Sequence, residues 1–396
     1  QRDGGDPTAI LADLRRARSA LDEARAFAAR PREVASAPLP TPEAVEIPRD
    51  TTVVEFVAGK SATTALVGRN VNGATEFASF QVDADPQTLR TLVNDFATAV
   101  ESRDARYRAT GRRLYELLLR PAIGAQPSGG KLCVMPDGVL WRVPFQALIA
   151  ANGEHVVERV PLFYAPSLAI LLAKSRASRR GAPTVLALGN PELDAVTRGD
   201  VYAVHRSASL GPLPDATREV LALGRFYGSR ATVRIGETAS EADLKRDAEH
   251  FDVLHLATHG IVDVKAPMYS ALLLAGSDSE DGLLEAREIV ALPIRADLVV
   301  LSACDTARGR IEGGEGAIGL SWAILATGCP RIVATQWSVS SAAAARLMIA
   351  FHSRLSKRES VTNVAASLRD AQLEMIRTPQ FSHPYYWAGF VMVGRD

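Results

Sequence analysis

A chain of 396 residues, 47% apolar and 23% charged, has the material for two or three globular domains. Its 45 basic and 45 acidic side chains leave no excess charge to draw it to nucleic acid or an anionic membrane surface. The cysteines at 133, 304 and 329 do not form a CxxC pair, so no metal or cofactor is expected and a reducing cytoplasm is the expected setting.

Of the basic residues 39 are Arg and 6 are Lys, which reads as the bias of a GC-rich genome rather than as a binding signal. No signal peptide is apparent, and the apolar runs are of strand length, which predicts no membrane span. The opening residue is Gln and not Met, as in a processed or trimmed product.

Residues 8–30 repeat apolar side chains at three- and four-residue steps, predicting an amphipathic helix. It is either a simple packing helix or the end of a longer helical array. A Pro-rich linker runs on to Pro48, setting 1–48 apart. The segment 51–77 predicts a hairpin turning at Gly59-Lys60, with a third strand at ATEFASFQV. A helix is expected from Asp85 to about Leu119. KLCVMPDGVLWRVPFQAL reads as two short strands about Asp137-Gly138, a type I′ turn signal, with Cys133 as a small buried hydrophobe. A short helix at 167–176 completes an α/β unit over 49–180 that carries no nucleophile at a strand end.

From 181 to 396 the pattern becomes regular. Strands at PTVLALGNP, ATVRIG, 251–258, 297–302, 331–336 and 388–393 alternate with helices at 216–227, after Ser240, and at 315–327, 340–355 and 361–376. Short joins between alternating elements predict a mostly parallel sheet covered on both faces.

Two of these runs end at reactive side chains, where a parallel sheet places its active edge. FDVLHLATHG ends at His259-Gly260, and ADLVVLSACDT passes through Cys304. A thiol is a nucleophile only as thiolate and needs a base, and His259 is the histidine placed to serve Cys304. Gly260 lets the backbone approach a ligand closely, so its N–H and that of Cys304 are the candidate oxyanion hole. Asp305 either lines the pocket before the scissile bond, favouring a basic residue there, or caps the loop through Thr306. The loop GRIEGGEGAIGL has its flexible point at Gly313-Gly314 and enters a helix at Glu315; it lacks the GK[ST] of a phosphate loop. Asp305, Glu315 and Trp337 are the candidate substrate contacts, Trp337 as a cleft wall. His255, four residues behind His259 on the same face, reads as a hydrogen-bonded core histidine. His155, His205, His250 and His352 have no evident reactive partner, and the aromatics of HPYYW, with His383, read as packing a sheet edge.

Together LHLATHG (254–260), Pro267, Ser270, LVVLSACDT (298–306), GGEGAIGLSWAILATG (313–328), VATQWSV (333–339) and HPYYWAGFVMVG (383–394) resemble the CHAT-domain family. Trp141, Pro144 and the LALGNP strand end fit as well, so the resemblance runs from about residue 50 to the end. Ala307 departs from the family, which often has Gly there. The resemblance implies a caspase-like three-layer α/β sandwich, with a degenerate unit at 49–180 before a catalytic one at 181–396. It implies a cysteine endopeptidase with His259 as base and Cys304 as nucleophile. It further implies a dedicated protein substrate, for example a pore-forming protein cut in bacterial defence or cell death, and an activating sensor or repeat protein. A non-catalytic signalling scaffold and a thiol-dependent small-molecule hydrolase are the alternatives.

Overall fold

The computed structural model of the protein describes residues 45–124, 130–173, 181–194, 210–303, 310–312 and 316–396, with Arg18 and Leu21 besides. The helix expected at 8–30, apart from those two positions, and the linker before Val45 lie outside the described residues. In chain order the strands are β1 (Thr51–Ala58), β2 (Thr63–Val71), β3 (Ala74–Gln81), β4 (Lys131–Met135), β5 (Leu162–Tyr164), β6 (Val185–Pro191), β7 (Ala231–Gly236) and β8 (Val253–Ala257). They continue with β9 (Gly260–Ile261), β10 (Ala271–Leu273), β11 (Leu283–Glu285), β12 (Leu298–Leu301), β13 (Arg310–Glu312), β14 (Gly316–Ile318), β15 (Arg331–Thr335) and β16 (Phe390–Gly394). The helices that frame the argument are α1 (Pro86–Glu101), α2 (Tyr107–Leu114), α3 (Pro214–Tyr227), α4 (Glu241–Asp247), α5 (Leu320–Ala326), α6 (Ser341–Leu355) and α7 (Val364–Ile376).

One sheet of 11 strands carries the fold, in the order β3-β2-β1-β4-β5-β16-β15-β12-β8-β6-β7. Only β1/β2, β2/β3 and β15/β16 pair antiparallel; the remaining junctions are parallel. Successive side chains on a strand point to opposite faces, and the two cores show it. Val185, Ala187, Val253, Ala257, Leu298, Val300 and Val333 join the core under α3, α6 and α7. Leu186, Leu188, Leu254, Leu256, Val299, Leu301 and Ile332 join the core with Leu244 of α4 and Ile324 of α5. The fold is the expected α/β sandwich around a mostly parallel sheet.

Four local expectations change. The helix foreseen from Asp85 to Leu119 breaks after α1, where Arg103 takes a left-handed φ of 60°. The reversal folds α2 back so closely that a Cβ on Gly111 would lie 2.8 Å from the Phe96 ring. A continuous helix would hold those residues about 22 Å apart. The hairpin at Asp137-Gly138 does not form either: both sides of β4 are taken by parallel partners, β1 and β5. Asp137 has φ −126° and its carboxylate accepts from the Ala58 N–H at 2.8 Å. The helix expected from 315 starts at Leu320, because Gly316–Ile318 pairs as β14 with β13. The HPYYW segment leads into β16, which is not an edge strand but is inserted between β5 and β15.

The layer between α3, α6 and the sheet holds a buried chain of polar groups. His255 Nε2 lies 2.7 Å from Glu219 Oε1, His255 Nδ1 lies 3.1 Å from His352 Nε2, and His352 Nδ1 lies 3.0 Å from the Tyr227 hydroxyl. With Glu219 a carboxylate and both rings neutral, the protons fit in one way: Tyr227 donates to His352, His352 to His255, and His255 to Glu219. His352, for which the sequence suggested no reactive partner, is the middle link of this hydrogen-bonded chain. Burial pushes its imidazole well below the ordinary value of 6.5, helped by the neighbouring His255. The folded chain therefore resists a proton that the unfolded chain accepts below that value, so stability is lost as pH falls. A loss of up to about 1.4 kcal/mol per pH unit is expected from this residue below pH ~6.5. Urea midpoints at falling pH measure it, and the slope should shrink in His352→Gln; equal slopes would contradict it.

Candidate active site

β8 and β12 run side by side with Leu254, His255 and Leu256 level with Val299, Val300 and Leu301. The pairing persists beyond the strands, because the Ser302 N–H donates to the Leu256 carbonyl at 2.9 Å. The next carbonyl, on Ala303, accepts from the Thr335 hydroxyl. On the neighbouring strand the buried Thr258 hydroxyl donates to the Leu273 carbonyl. His259 follows, half-buried, and its carbonyl accepts from the Leu273 N–H at 2.9 Å. The backbone is thus pinned on both sides of the imidazole by uncharged hydrogen bonds.

The ring itself is held by a backbone atom 48 residues upstream. His259 Nε2 lies 2.8 Å from the Gly211 carbonyl oxygen. A carbonyl only accepts, so Nε2 carries the proton and the neutral ring keeps its lone pair on Nδ1. Among the described residues Nδ1 has no hydrogen-bond partner. This carbonyl is the orienting group that reading the sequence missed. Gly211 lies in the segment that leads into α3, and α3 sits tightly on β6. A Cβ on Gly189 would stand 2.8 Å from both Val220 methyls and 3.0 Å from the Ala216 carbonyl.

The other expected residues fall as follows. Cys304, Asp305 and Glu315, with Thr306, Ala307, Gly313 and Gly314, lie outside the described residues. Gly260 opens β9 in extended backbone and pairs with Leu272 of β10. Trp337 is only 4% exposed, and its indole N–H donates to the Tyr385 carbonyl at 3.0 Å. It is packed inside, leaving little ring surface for a substrate. His383 Nδ1 accepts from the Tyr385 N–H at 3.1 Å, and its ring stands edge-on to Tyr107. Cys133 and Cys329 are buried; burial pushes the Cys133 thiol well up and the Cys329 thiol up to about 12. Neither is an available nucleophile at neutral pH.

The model of the CHAT domain family matches residues 108–395, from α2 to the residue after β16. The chain belongs to the CHAT-domain family. The CHAT match takes in both β5 and β16, the strands through which the sheet is continuous. Tetratricopeptide repeat protein 28 of Mus musculus is 29% identical over 339 residues, covering 72% of this CHAT chain and 13% of the relative. The Homo sapiens protein of that name is 26% identical over 339 residues, with the same coverage. The chain therefore spans only 13% of the length of these curated relatives. Among solved structures, a chain of the Saccharomyces cerevisiae separase–securin complex aligns with TM-score 0.53 and 9% identity, over 87% of this chain and 30% of that one. The likeness is one of fold: the caspase-like α/β class expected from the sequence. Among the described residues no helix is long and apolar enough to cross a membrane.

Proposed function

We propose that the protein is a cysteine endopeptidase in which Cys304 attacks and His259 moves the protons. One observation carries the reading: the register of β8 against β12. Leu256 and Leu301 are level, and positions 259 and 304 each come three residues later. Alternation gives both positions the parity of His255 and Val300, the side covered by α3 and α6. This supports placing an imidazole and a thiol as neighbours on one face of adjacent strand ends.

In the proposed reaction His259 Nδ1 takes the thiol proton while Nε2–H stays on the Gly211 carbonyl, which favours the imidazolium. The sulfur bonds to the peptide carbonyl carbon, and the N–H groups of Gly260 and Cys304 receive the oxyanion. Collapse breaks the C–N bond and the departing amine takes the proton from His259. Water, deprotonated by the same nitrogen, cleaves the thioester and restores the thiol. Asp305 and Glu315 are the proposed substrate contacts; Trp337, as packed, would have to move to become one. Family resemblance supports a dedicated protein substrate, in defence or regulated cell death. The name of the mammalian relatives supports a helical repeat array as regulator, with residues 8–30 as its edge.

Peptidyl acyloxymethyl ketones ending in Arg, Leu, Met or Asp test the chemistry. Native protein should gain one adduct, mapped to Cys304 and absent in Cys304→Ala, while Cys133 and Cys329 should react only after unfolding. Adducts on the two buried thiols in folded protein, or none on Cys304 with all four peptides, would overturn the proposal.

A further inference from the structure

Asn190 is the next-to-last residue of β6, the strand next to β8, and its backbone is left-handed with φ 48°. The ladder to β7 shifts register between Gly189 and Pro191, so Asn190 stands out of the sheet's pairing. Its amide grips the start of α3 twice: Oδ1 accepts from the Leu213 N–H at 2.7 Å, and Nδ2 donates to Thr217 Oγ1 at 3.0 Å. Leu213 is the N-cap of α3: its carbonyl accepts from the Ala216 and Thr217 N–H groups, while its own N–H lies before the helix's ladder and is left to Asn190. Two residues before Leu213 comes Gly211, whose carbonyl holds His259 Nε2. Asparagine suits the position because it tolerates the left-handed region and offers both a donor and an acceptor.

We infer that Asn190 is a positioning residue for His259. By clamping Leu213 and Thr217 it sets where the Gly211 carbonyl stands, and so which ring nitrogen of His259 keeps the proton. Asn190 touches no reacting atom. The inference rests on the reading of His259 as the base, but its first readout does not need activity.

Asn190→Gly keeps the backbone conformation and removes both side-chain bonds. Asn190→Asp keeps an acceptor for Leu213 and can accept from the Thr217 hydroxyl. In Cys304→Ala protein with 15N-labelled imidazoles, His259 should show the Nε2–H tautomer alone. Asn190→Gly should give a mixture of tautomers, and Asn190→Asp should restore the single form, which separates positioning from misfolding. In protein that retains Cys304, the maximal rate of alkylation by the peptidyl ketone should fall about 10- to 100-fold in Asn190→Gly, with the half-saturating concentration within about twofold. An unchanged tautomer in Asn190→Gly overturns the inference whatever the rates. A mixed tautomer in a protein that no peptidyl ketone labels supports the positioning role, and the missing label counts against the peptidase reading alone.

Discussion

Replacing Cys304 with alanine is expected to reduce peptide hydrolysis to the uncatalysed rate, and His259→Ala to lower it by about 10⁴-fold or more. On the proposed mechanism the two losses should not add, because thiol and imidazole would act as one unit. Their side effects should differ. Cys304→Ala removes the proposed nucleophile, so no electrophile should label the folded protein. His259→Ala leaves a thiol that ionises only as the solution becomes alkaline, so slow labelling should return as pH rises. His259 is half-buried and belongs to none of the apolar core clusters, so His259→Ala should keep the parent's urea midpoint. Peptides matching the labelling ketones, released as fluorescent amines, give the rates. A Cys304→Ala protein retaining even a tenth of the parent rate would mean that the hydrolysis belongs to another group.

His255→Phe is expected to cost about 3–5 kcal/mol of stability. Glu219 is 2% exposed and bonds the His255 ring, so the substitution strands a carboxylate in the core. It also leaves His352 Nε2 without the ring nitrogen it meets at 3.1 Å. Glu219→Gln retains an acceptor for His255 Nε2–H and exchanges a charged partner for a neutral one, which should cost only about 1 kcal/mol. Urea unfolding of the pair decides the matter. Comparable small losses from both would show that Glu219 is not held as a buried charge, and the proton arrangement drawn for this cluster would have to be abandoned.

Much of the frame could be read in the chain because local pattern and tertiary demand agree there. VLHLA and LVVL are apolar but for His255, as strands buried on both faces should be, and they are β8 and β12. His255 could be placed on a core face by parity alone. What could not be read lies in contacts with no local signal. The Gly211 carbonyl belongs to a backbone that any residue supplies, and it meets His259 across 48 positions. The link from His255 to His352 spans 97 positions and joins a strand to a helix that sequence order does not relate. At Arg103 the error was of another kind: helix-forming residues continue on both sides, and only the packing of Gly111 on Phe96 demands the reversal. At Asp137-Gly138 a strong turn dipeptide was overruled because its strand already had a neighbour on each side.

The insertion of β16 between β5 and β15 fixes the order of events during synthesis. Nothing among the described strands bridges the two halves of the sheet until residues 390–394 have emerged, after every other strand has been made. Until then a nascent chain presents two raw edges, along β5 and along β15, each able to pair with a foreign strand. The last of the described strands to be made thus joins the two halves and covers both of those edges.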